Sequence, residues 1–196
     1  MAVAAPAVRG WGRLEVHGLE TLPARGPVLL AGNHDSWWDT VTIGLAARER
    51  RQIFALAKAE LWQTRGLGRL LDSMGQIPIE RGAGDAAALD RAIAALRDGA
   101  CVGIFPEGTR AKGGALRARS GIGRLAAAVP EAEIVLCTAA GTTDFVRFPR
   151  RPAARVEFFR PRDGGLREGE PPGEFAARLL AEIRERVPPQ PFGRRP

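Results

Sequence analysis

Short apolar segments alternate along this chain with stretches of helical period, and this alternation constrains the fold more than any other feature. Strands are predicted at residues 13–17, 27–31, 52–57, 76–79, 100–105, 133–138 and 155–159. Helices are predicted at residues 38–48, 61–71, 85–97, 121–128 and 174–187, and Gly66 and Gly68 interrupt the pattern of the second. Strands separated by helices of this length are typical of the α/β class. We therefore predict a single domain with a mixed, largely parallel sheet flanked by helices.

The composition agrees with one folded domain followed by a short arm. Of the 196 residues, 45% are hydrophobic and 26% are charged, which excludes a mainly disordered chain. We predict a domain over residues 1–187 and a proline-rich tail, expected to remain unpacked, over 188–196. No uncharged apolar stretch of about 18 residues occurs, so no transmembrane helix is predicted. The N-terminus lacks the pattern of a cleaved secretion signal.

The charge balance favours anionic partners. The formal net charge is +7, and of the 29 basic residues only Lys58 and Lys112 are lysines. Arginine forks match phosphate geometry, so nucleic acid, a lipid headgroup layer and a phosphorylated small molecule all fit such a surface. The two cysteines, Cys101 and Cys137, lie in apolar runs and are predicted to be reduced core residues. No clustered His/Cys set supports a structural zinc site.

The loop after the second predicted strand, GNHDSWWDT from Gly32 to Thr40, carries residues that folding alone does not require. Ligands of open α/β sheets bind beyond the carboxyl ends of the strands. Asp39 could accept a hydrogen bond from one ring nitrogen of His34 and leave the other nitrogen as a general base. Alternatively, Asp39 or Ser36 caps the following helix and His34 is a solvated loop residue. The residues alone leave both interpretations open.

Two further loops combine glycine with basic residues. MGQIPIERG, from Met74 to Gly82, ends a short strand with Arg81, which could hold a phosphate or be an ordinary surface arginine. IFPEGTRAKGGALRARSG, residues 104–121, follows a buried strand with a tight polar turn and contains four basic residues and no acid after the turn: Arg110, Lys112, Arg117 and Arg119. This loop could hold a phosphate or be a solvated loop. It is not a Walker A loop.

In this order, the three loops resemble a known family. NHDSWWD is similar to the HxxxxD motif of the glycerolipid acyltransferases, and FPEGTR is similar to their second signature. GQIPIERG resembles the block between these two motifs. The resemblance extends from Pro27 to about Thr143, and it is greatest to the 1-acyl-sn-glycerol-3-phosphate acyltransferase group of the bacterial PlsC type.

The resemblance implies a role for each matching residue. His34 would be the general base, Asp39 would orient it and stabilise its charge, and Arg81 would hold the acceptor phosphate. Arg119 would be a second phosphate contact. The acceptor site would be shaped by the turn residues of the second signature: Glu107, Gly108, Thr109 and Arg110. It also implies a glycerol-3-phosphate acyltransferase-like fold for residues 1–187.

The expected reaction is acyl transfer from acyl-CoA or acyl carrier protein to a lysophospholipid hydroxyl, giving phosphatidate from 1-acylglycerol-3-phosphate. No metal or other cofactor is expected. The expected partners are that donor, that acceptor and an anionic membrane surface, with no nucleic acid. The expected location is cytoplasmic, peripheral on the inner face of the membrane. The alternatives are a different lipid acceptor (a glycolipid, an amino-acid lipid or another lysophospholipid), and a non-catalytic basic module that binds lipid or nucleic acid.

Aromatic residues near these motifs could support membrane contact. Trp37 and Trp38 lie inside the first motif, with Trp11 and Trp62 on either side of the matched strands. Each could enter a headgroup layer or pack in the core. The segment FVRFPRR, residues 145–151, mixes aromatic and basic side chains and could touch anionic lipid or be a solvated loop.

Overall fold

The computed structural model describes residues 13–64, 66–73, 75–79, 86–146 and 153–190. The strands are β1 (Arg13–His17), β2 (Val28–Gly32), β3 (Ile53–Lys58), β4 (Gln76–Ile79), β5 (Cys101–Ile104), β6 (Glu133–Ala140) and β7 (Ala153–Phe159). The α-helices are α1 (Trp37–Ala47), α2 (Leu67–Ser73), α3 (Ala86–Arg97), α4 (Gly121–Ala128) and α5 (Pro172–Arg186).

The strands form one seven-stranded sheet in the order β1-β7-β6-β2-β5-β3-β4. Every neighbouring pair is parallel except β6 and β7, which are antiparallel. The predicted mixed, largely parallel sheet flanked by helices is therefore confirmed. Strand β2 lies between β5 and β6 and is parallel to both. The loops that follow these three strands consequently leave the sheet at the same edge, which brings together distant segments of the chain.

Alternate residues of the central strand face two separate cores, as the pleat of a strand requires. Leu29 and Ala31 pack on one side with residues of α3, α4 and α5. Val28 and Leu30 pack on the other side with residues of α1 and with Leu22. All five residues of β2 are buried, which explains why this strand reads as a continuous apolar run.

The prediction of one helix over 61–71 is wrong in its extent. The chain forms a 3-10 turn at Ala59–Gln63 and then the separate helix α2. Gly66 has a φ of 82°, in the left-handed region that residues other than glycine rarely adopt. A helix cannot continue through this conformation, so Gly66 marks the break, whereas Gly68 lies inside α2.

The two cysteines are free thiols in the sheet interior, as predicted. Burial raises the pKa of Cys101 to about 12 and raises that of Cys137 further above its ordinary value. Both thiols therefore stay protonated near neutral pH. Within the described part of the chain, none of the helices has the length and apolar character needed to cross a bilayer.

Candidate active site

The loop after β2 is organised around the start of helix α1. Ser36 is the N-cap, and its side-chain oxygen accepts a hydrogen bond from the backbone N–H of Trp38 at 3.2 Å. Asp39 reciprocates from the third helical position, because its Oδ2 accepts from the Ser36 N–H at 2.7 Å. Together these contacts form a capping box. The capping interpretation of Ser36 and Asp39 is therefore correct.

The same Asp39 carboxylate also contacts the candidate base. His34 Nδ1 lies 3.3 Å from Asp39 Oδ2, and the aspartate side chain is completely buried. An ionised carboxylate can only accept, so in the tautomer that this contact favours the proton lies on Nδ1 and Nε2 carries the free electron pair. Helix capping and the His–Asp pair are thus not alternatives, since one carboxylate makes both contacts.

Three neighbours fix this pair further. Thr142 Oγ1 donates to Asp39 Oδ1 at 2.5 Å, and the N–H of Asp35 donates to Oδ2 at 2.6 Å. The Phe105 ring stacks on the imidazole, with centroids 4.2 Å apart and planes 9° from parallel. Thr142 follows β6 and Phe105 follows β5, so residues from three strand ends hold the His34–Asp39 pair.

The loop after β5 is tied directly to the histidine. The backbone N–H of His34 donates to Glu107 Oε2 at 2.9 Å, and the His34 carbonyl accepts from the N–H of Ala111 at 2.7 Å. Gly108 has a φ of 67°, and a Cβ there would lie 2.5 Å from Cδ of Arg119. Only glycine allows the arginine stem to lie this close to the turn. The FPEGTR loop therefore folds against the first motif and brings Arg119 over its turn.

A buried ion cluster joins these two loops to the last helix. Arg184, on α5, lies 2.9 Å from Asp35 Oδ2 and 2.6 Å from Glu107 Oε1. Burial disfavours the charge of Arg184, but its hydrogen bonds to Asp35 and Glu107 and their Coulomb attraction raise its pKa above the ordinary value. Arg184 therefore stays charged at any relevant pH.

An apolar cavity of about 360 Å³ lies beside the pair, between the sheet and α1. Its wall includes Phe105, which stacks on His34, and Thr40, which follows Asp39 in the chain. Small or apolar side chains form much of the lining, while Arg48, Gln52 and Gln76 contribute polar groups to it. The volume lies within the range of small-molecule sites, roughly 300 to 1,000 Å³.

The rim near the histidine combines an aromatic ring with positive charge. Trp37, the first residue of α1, is 58% exposed, and the Arg110 guanidinium lies 4.5 Å from the centroid of its ring. Lys112, Arg117 and Arg119 are exposed on the same loop as Arg110. Trp37 is thus a surface residue, whereas Trp62 is half-buried and donates to Asp72.

Comparison with known proteins agrees with this geometry. A family model described as Acyltransferase matches residues 13–141, which include both motifs and most of the sheet. The chain belongs to this acyltransferase family. The resemblance carried by NHDSWWD and FPEGTR is thereby confirmed.

Curated relatives that are named as acyltransferases match about half of the chain. The 1-acyl-sn-glycerol-3-phosphate acyltransferase of Bacillus subtilis is 34% identical over 99 residues, 50% of this chain and 49% of the relative. The lyso-ornithine lipid O-acyltransferase of Pseudomonas aeruginosa is 35% identical over 113 residues, 57% of this chain and 42% of the relative. The chain thus matches about half the length of these relatives.

A solved structure agrees over a longer range. The 1-acyl-sn-glycerophosphate acyltransferase PlsC of Thermotoga maritima matches 94% of this chain and 76% of its own, with a TM-score of 0.69. Sequence identity is 18%, so this likeness shows the fold. The acyltransferase fold therefore extends beyond the residues that the family model covers.

The structure brings together most of the predicted site residues of this chain. His34, Asp39, Glu107, Gly108, Arg110 and Arg119 lie at or around the strand ends described above, and Thr109 is exposed in the same turn. The Glu107 carboxylate accepts hydrogen bonds from the His34 N–H and from Arg184, so it binds other residues of the site. Arg81 and residues 147–151 of the basic aromatic segment lie outside the described residues, as does Trp11.

Sequence reasoning missed three residues of the site: Asp35, Thr142 and Arg184. Asp35 lies beside His34 within the first motif, and the expected chemistry was assigned to His34 and Asp39. The local sequence around Thr142 does not indicate a contact with Asp39. Arg184 is one of 27 arginines and lies in an amphipathic helix.

The N–H of Gln190 also donates to Asp35 at 3.3 Å, so the start of the predicted tail contacts the site.

Proposed function

We propose that the protein transfers an acyl group from a thioester, acyl-CoA or acyl carrier protein, to the free hydroxyl of a lysophospholipid. The preferred acceptor in this proposal is 1-acylglycerol-3-phosphate, which gives phosphatidate. The observation that carries the proposal is the His34–Asp39 pair, built from a buried carboxylate and a stacked imidazole beside an apolar cavity. A non-catalytic basic module has no need of such a pair, so the enzyme is favoured.

In the proposed reaction His34 acts as a general base and then as a general acid. Nε2 takes the proton of the acceptor hydroxyl while the oxygen attacks the thioester carbonyl. The tetrahedral intermediate collapses, the carbon–sulfur bond breaks, and the leaving thiolate receives the proton from the imidazolium. Asp39 stabilises the imidazolium during this cycle, and its contacts with Thr142 and the Asp35 N–H keep it in place.

The cavity beside Phe105 provides a site for the donor acyl chain. Gly44 lies on α1 and contributes to the cavity wall. Replacing Gly44 with leucine is expected to fill part of this space while favouring the helix. Transfer of a 16-carbon acyl group should then fall by about 10-fold or more relative to an 8-carbon group. The measurement is kcat/KM for both donors, with the short donor as the internal control. An equal effect on both donors would show that the acyl chain does not bind in this cavity.

The acceptor assignment rests on charge and on the relatives. The loop after β5 carries Arg110 beside Trp37 and Arg119 beside Gly108, and arginine forks match a phosphate. The Bacillus subtilis relative is named for 1-acyl-sn-glycerol-3-phosphate, but the Pseudomonas aeruginosa relative is named for lyso-ornithine lipid and matches a larger share of this chain. A lyso-amino-acid lipid is therefore the second candidate acceptor.

One assay tests both candidates. The purified protein is offered palmitoyl-CoA with a panel of lysophosphatidate, other lysophospholipids, a lysoglycolipid and lyso-ornithine lipid, and the products are identified by mass spectrometry. Formation of phosphatidate at the highest kcat/KM supports the first proposal. A preference for lyso-ornithine lipid selects the second. No acylated product from any acceptor, with either acyl-CoA or acyl carrier protein as donor, contradicts the proposed function.

Arg81 provides a test of the acceptor phosphate. By the family resemblance it holds this phosphate, and its position lies outside the described residues. Arg81→Ala is expected to lower kcat/KM for lysophosphatidate by about 10- to 100-fold, since a charged hydrogen bond contributes about 1.5 to 3 kcal/mol. The KM for acyl-CoA should change little. A phosphate-free acceptor is the control. A loss confined to acyl-CoA would place Arg81 in the donor site instead.

We also propose that the protein works as a peripheral enzyme on the cytoplasmic face of an anionic membrane. The net charge of +7 and the exposed Trp37 beside Arg110 support this. In vesicle sedimentation the protein should bind phosphatidylglycerol-containing vesicles and be released as salt rises, because screening shortens the reach of charge. Trp37→Ser should weaken this binding by about 3- to 10-fold. Equal binding to neutral vesicles would contradict the electrostatic part of the proposal.

A further inference from the structure

The last helix contributes a side chain to the site although the family model ends well before it. Helix α5 spans Pro172–Arg186, whereas the family match ends at residue 141. We infer that Arg184 is a positioning residue, which fixes the loops after β2 and β5 to each other and thereby holds His34 in its reactive place. The kinetic part of this inference rests on the proposed acyl transfer.

The hydrogen bonds of Arg184 account for all of its donors. Nε donates to Glu107 at 3.1 Å, and Nη2 donates to Glu107 at 2.6 Å and to Asp35 at 3.1 Å. Nη1 donates to Asp35 at 2.9 Å and to the carbonyl of Val187 at 3.3 Å. A guanidinium has five N–H groups, and these five contacts use them. Arg184 therefore has no donor left for a substrate phosphate, which separates it from the arginines of the rim.

Each residue whose carboxylate binds Arg184 also contacts one member of the His34–Asp39 pair. Glu107 connects Arg184 to His34, because its other carboxylate oxygen accepts a hydrogen bond from the backbone N–H of His34 at 2.9 Å. Asp35 connects Arg184 to Asp39, because the backbone N–H of Asp35 donates to Asp39 Oδ2 at 2.6 Å. Asn33 supports the same turn through its amide, which donates to Asp35 at 2.9 Å. The backbone on both sides of the pair is thus fixed through one guanidinium.

The charges explain why this arrangement needs an arginine. Asp35 is fully buried and Glu107 is 2% exposed, so neither carboxylate is solvated by bulk water. The single guanidinium between them neutralises part of this charge and separates the two anions. Without it, two buried anions would face each other, and such a pair relaxes by taking up a proton or by letting water in. Either change moves the backbone N–H groups of the loop.

The docking of α5 does not depend on this arginine. Phe175, Leu179 and Ile183 are fully buried in the core beneath the helix. A second arginine on the same helix, Arg178, forms an ion pair with Glu170, with atoms 2.9 Å apart, and donates a further hydrogen bond to the Gly165 carbonyl, so these contacts lie outside the loops after β2 and β5. Arg178 is therefore a matched control for the loss of a partly buried ion pair on α5.

The experiment compares Arg184→Met with Arg178→Met, both of which keep an unbranched apolar stem and remove the guanidinium. For Arg184→Met we expect kcat to fall by about 100-fold, since a shift of about 1 Å at a reacting group can have that effect. The KM values for donor and acceptor should stay within about threefold, because substrate contacts remain. Arg178→Met should keep kcat within about twofold. Arg184→Lys should lie between wild type and Arg184→Met, because an ammonium lacks the planar fork.

A second measurement does not require activity. Amide hydrogen exchange of the wild-type protein and of both methionine variants should show faster exchange at His34 in Arg184→Met only, by about 10-fold, with sheet amides unchanged. An Arg184→Met protein with wild-type kcat, or one with raised acceptor KM and unchanged kcat, would overturn the inference. Should Arg184→Met not fold, full kcat in Arg184→Lys with unchanged His34 exchange would also overturn it. A wild-type protein without transferase activity would contradict the proposed function. The hydrogen-exchange result would then test the positioning role of Arg184 by itself.

Discussion

Replacing His34 with alanine is expected to lower kcat for acyl transfer by about 10²- to 10⁴-fold, the usual contribution of a general base. The fold should survive, because the side chain belongs to neither hydrophobic core and is 13% exposed. The backbone contacts of residue 34 with Glu107 and Ala111 do not involve the side chain and are retained. The measurement is kcat with saturating donor and acceptor, together with the thermal midpoint of unfolding.

The second histidine of the chain provides the control. His17 lies at the end of the edge strand β1, is exposed, and has no place among the loops that form the site. His17→Ala should therefore keep wild-type turnover. A folded His34→Ala protein with near-normal kcat would show that another group removes the proton, and the proposed mechanism would fail.

Asp39→Asn is the second change with a large expected effect. An asparagine can keep its oxygen toward the N–H groups of Asp35 and Ser36 and donate its amide to the Thr142 oxygen, so the capping box is largely preserved. The negative charge beside the imidazole is lost, however, and the imidazolium is no longer stabilised. We expect kcat to fall by about 10²- to 10⁴-fold while the KM values change little.

Thr142→Val separates charge from packing in this test. It removes the hydroxyl that donates to Asp39 Oδ1 but leaves the carboxylate in place. Leaving this buried oxygen without its donor should lower the free energy of unfolding by about 1 to 3 kcal/mol. The effect on kcat should be about 10-fold or less, well below that of Asp39→Asn. If Asp39→Asn keeps kcat within about fivefold of wild type, Asp39 acts only as a helix cap.

Local sequence was sufficient for the features that depend on neighbouring residues. The alternation of apolar and helical segments predicted the α/β sheet, because a parallel strand buried on both faces must be apolar throughout. His34 and Asp39 are five positions apart, so a single turn before a helix can bring them together. Of the two glycines that interrupt the 61–71 segment, Gly66 did mark the break in that helix, whereas Gly68 lies inside α2.

Only the tertiary structure decided which residues support this pair. Thr142 is 103 positions from Asp39, and Arg184 is 77 positions from Glu107 and 149 from Asp35. No periodicity or motif relates positions so far apart, since their contact depends on β2 lying between β5 and β6 and on α5 packing against the sheet. The sequence alone determined the chemistry of the loops after the strands. The parallel order of three strands, with one edge common to their carboxyl ends, decided that those loops meet and that a buried arginine joins them.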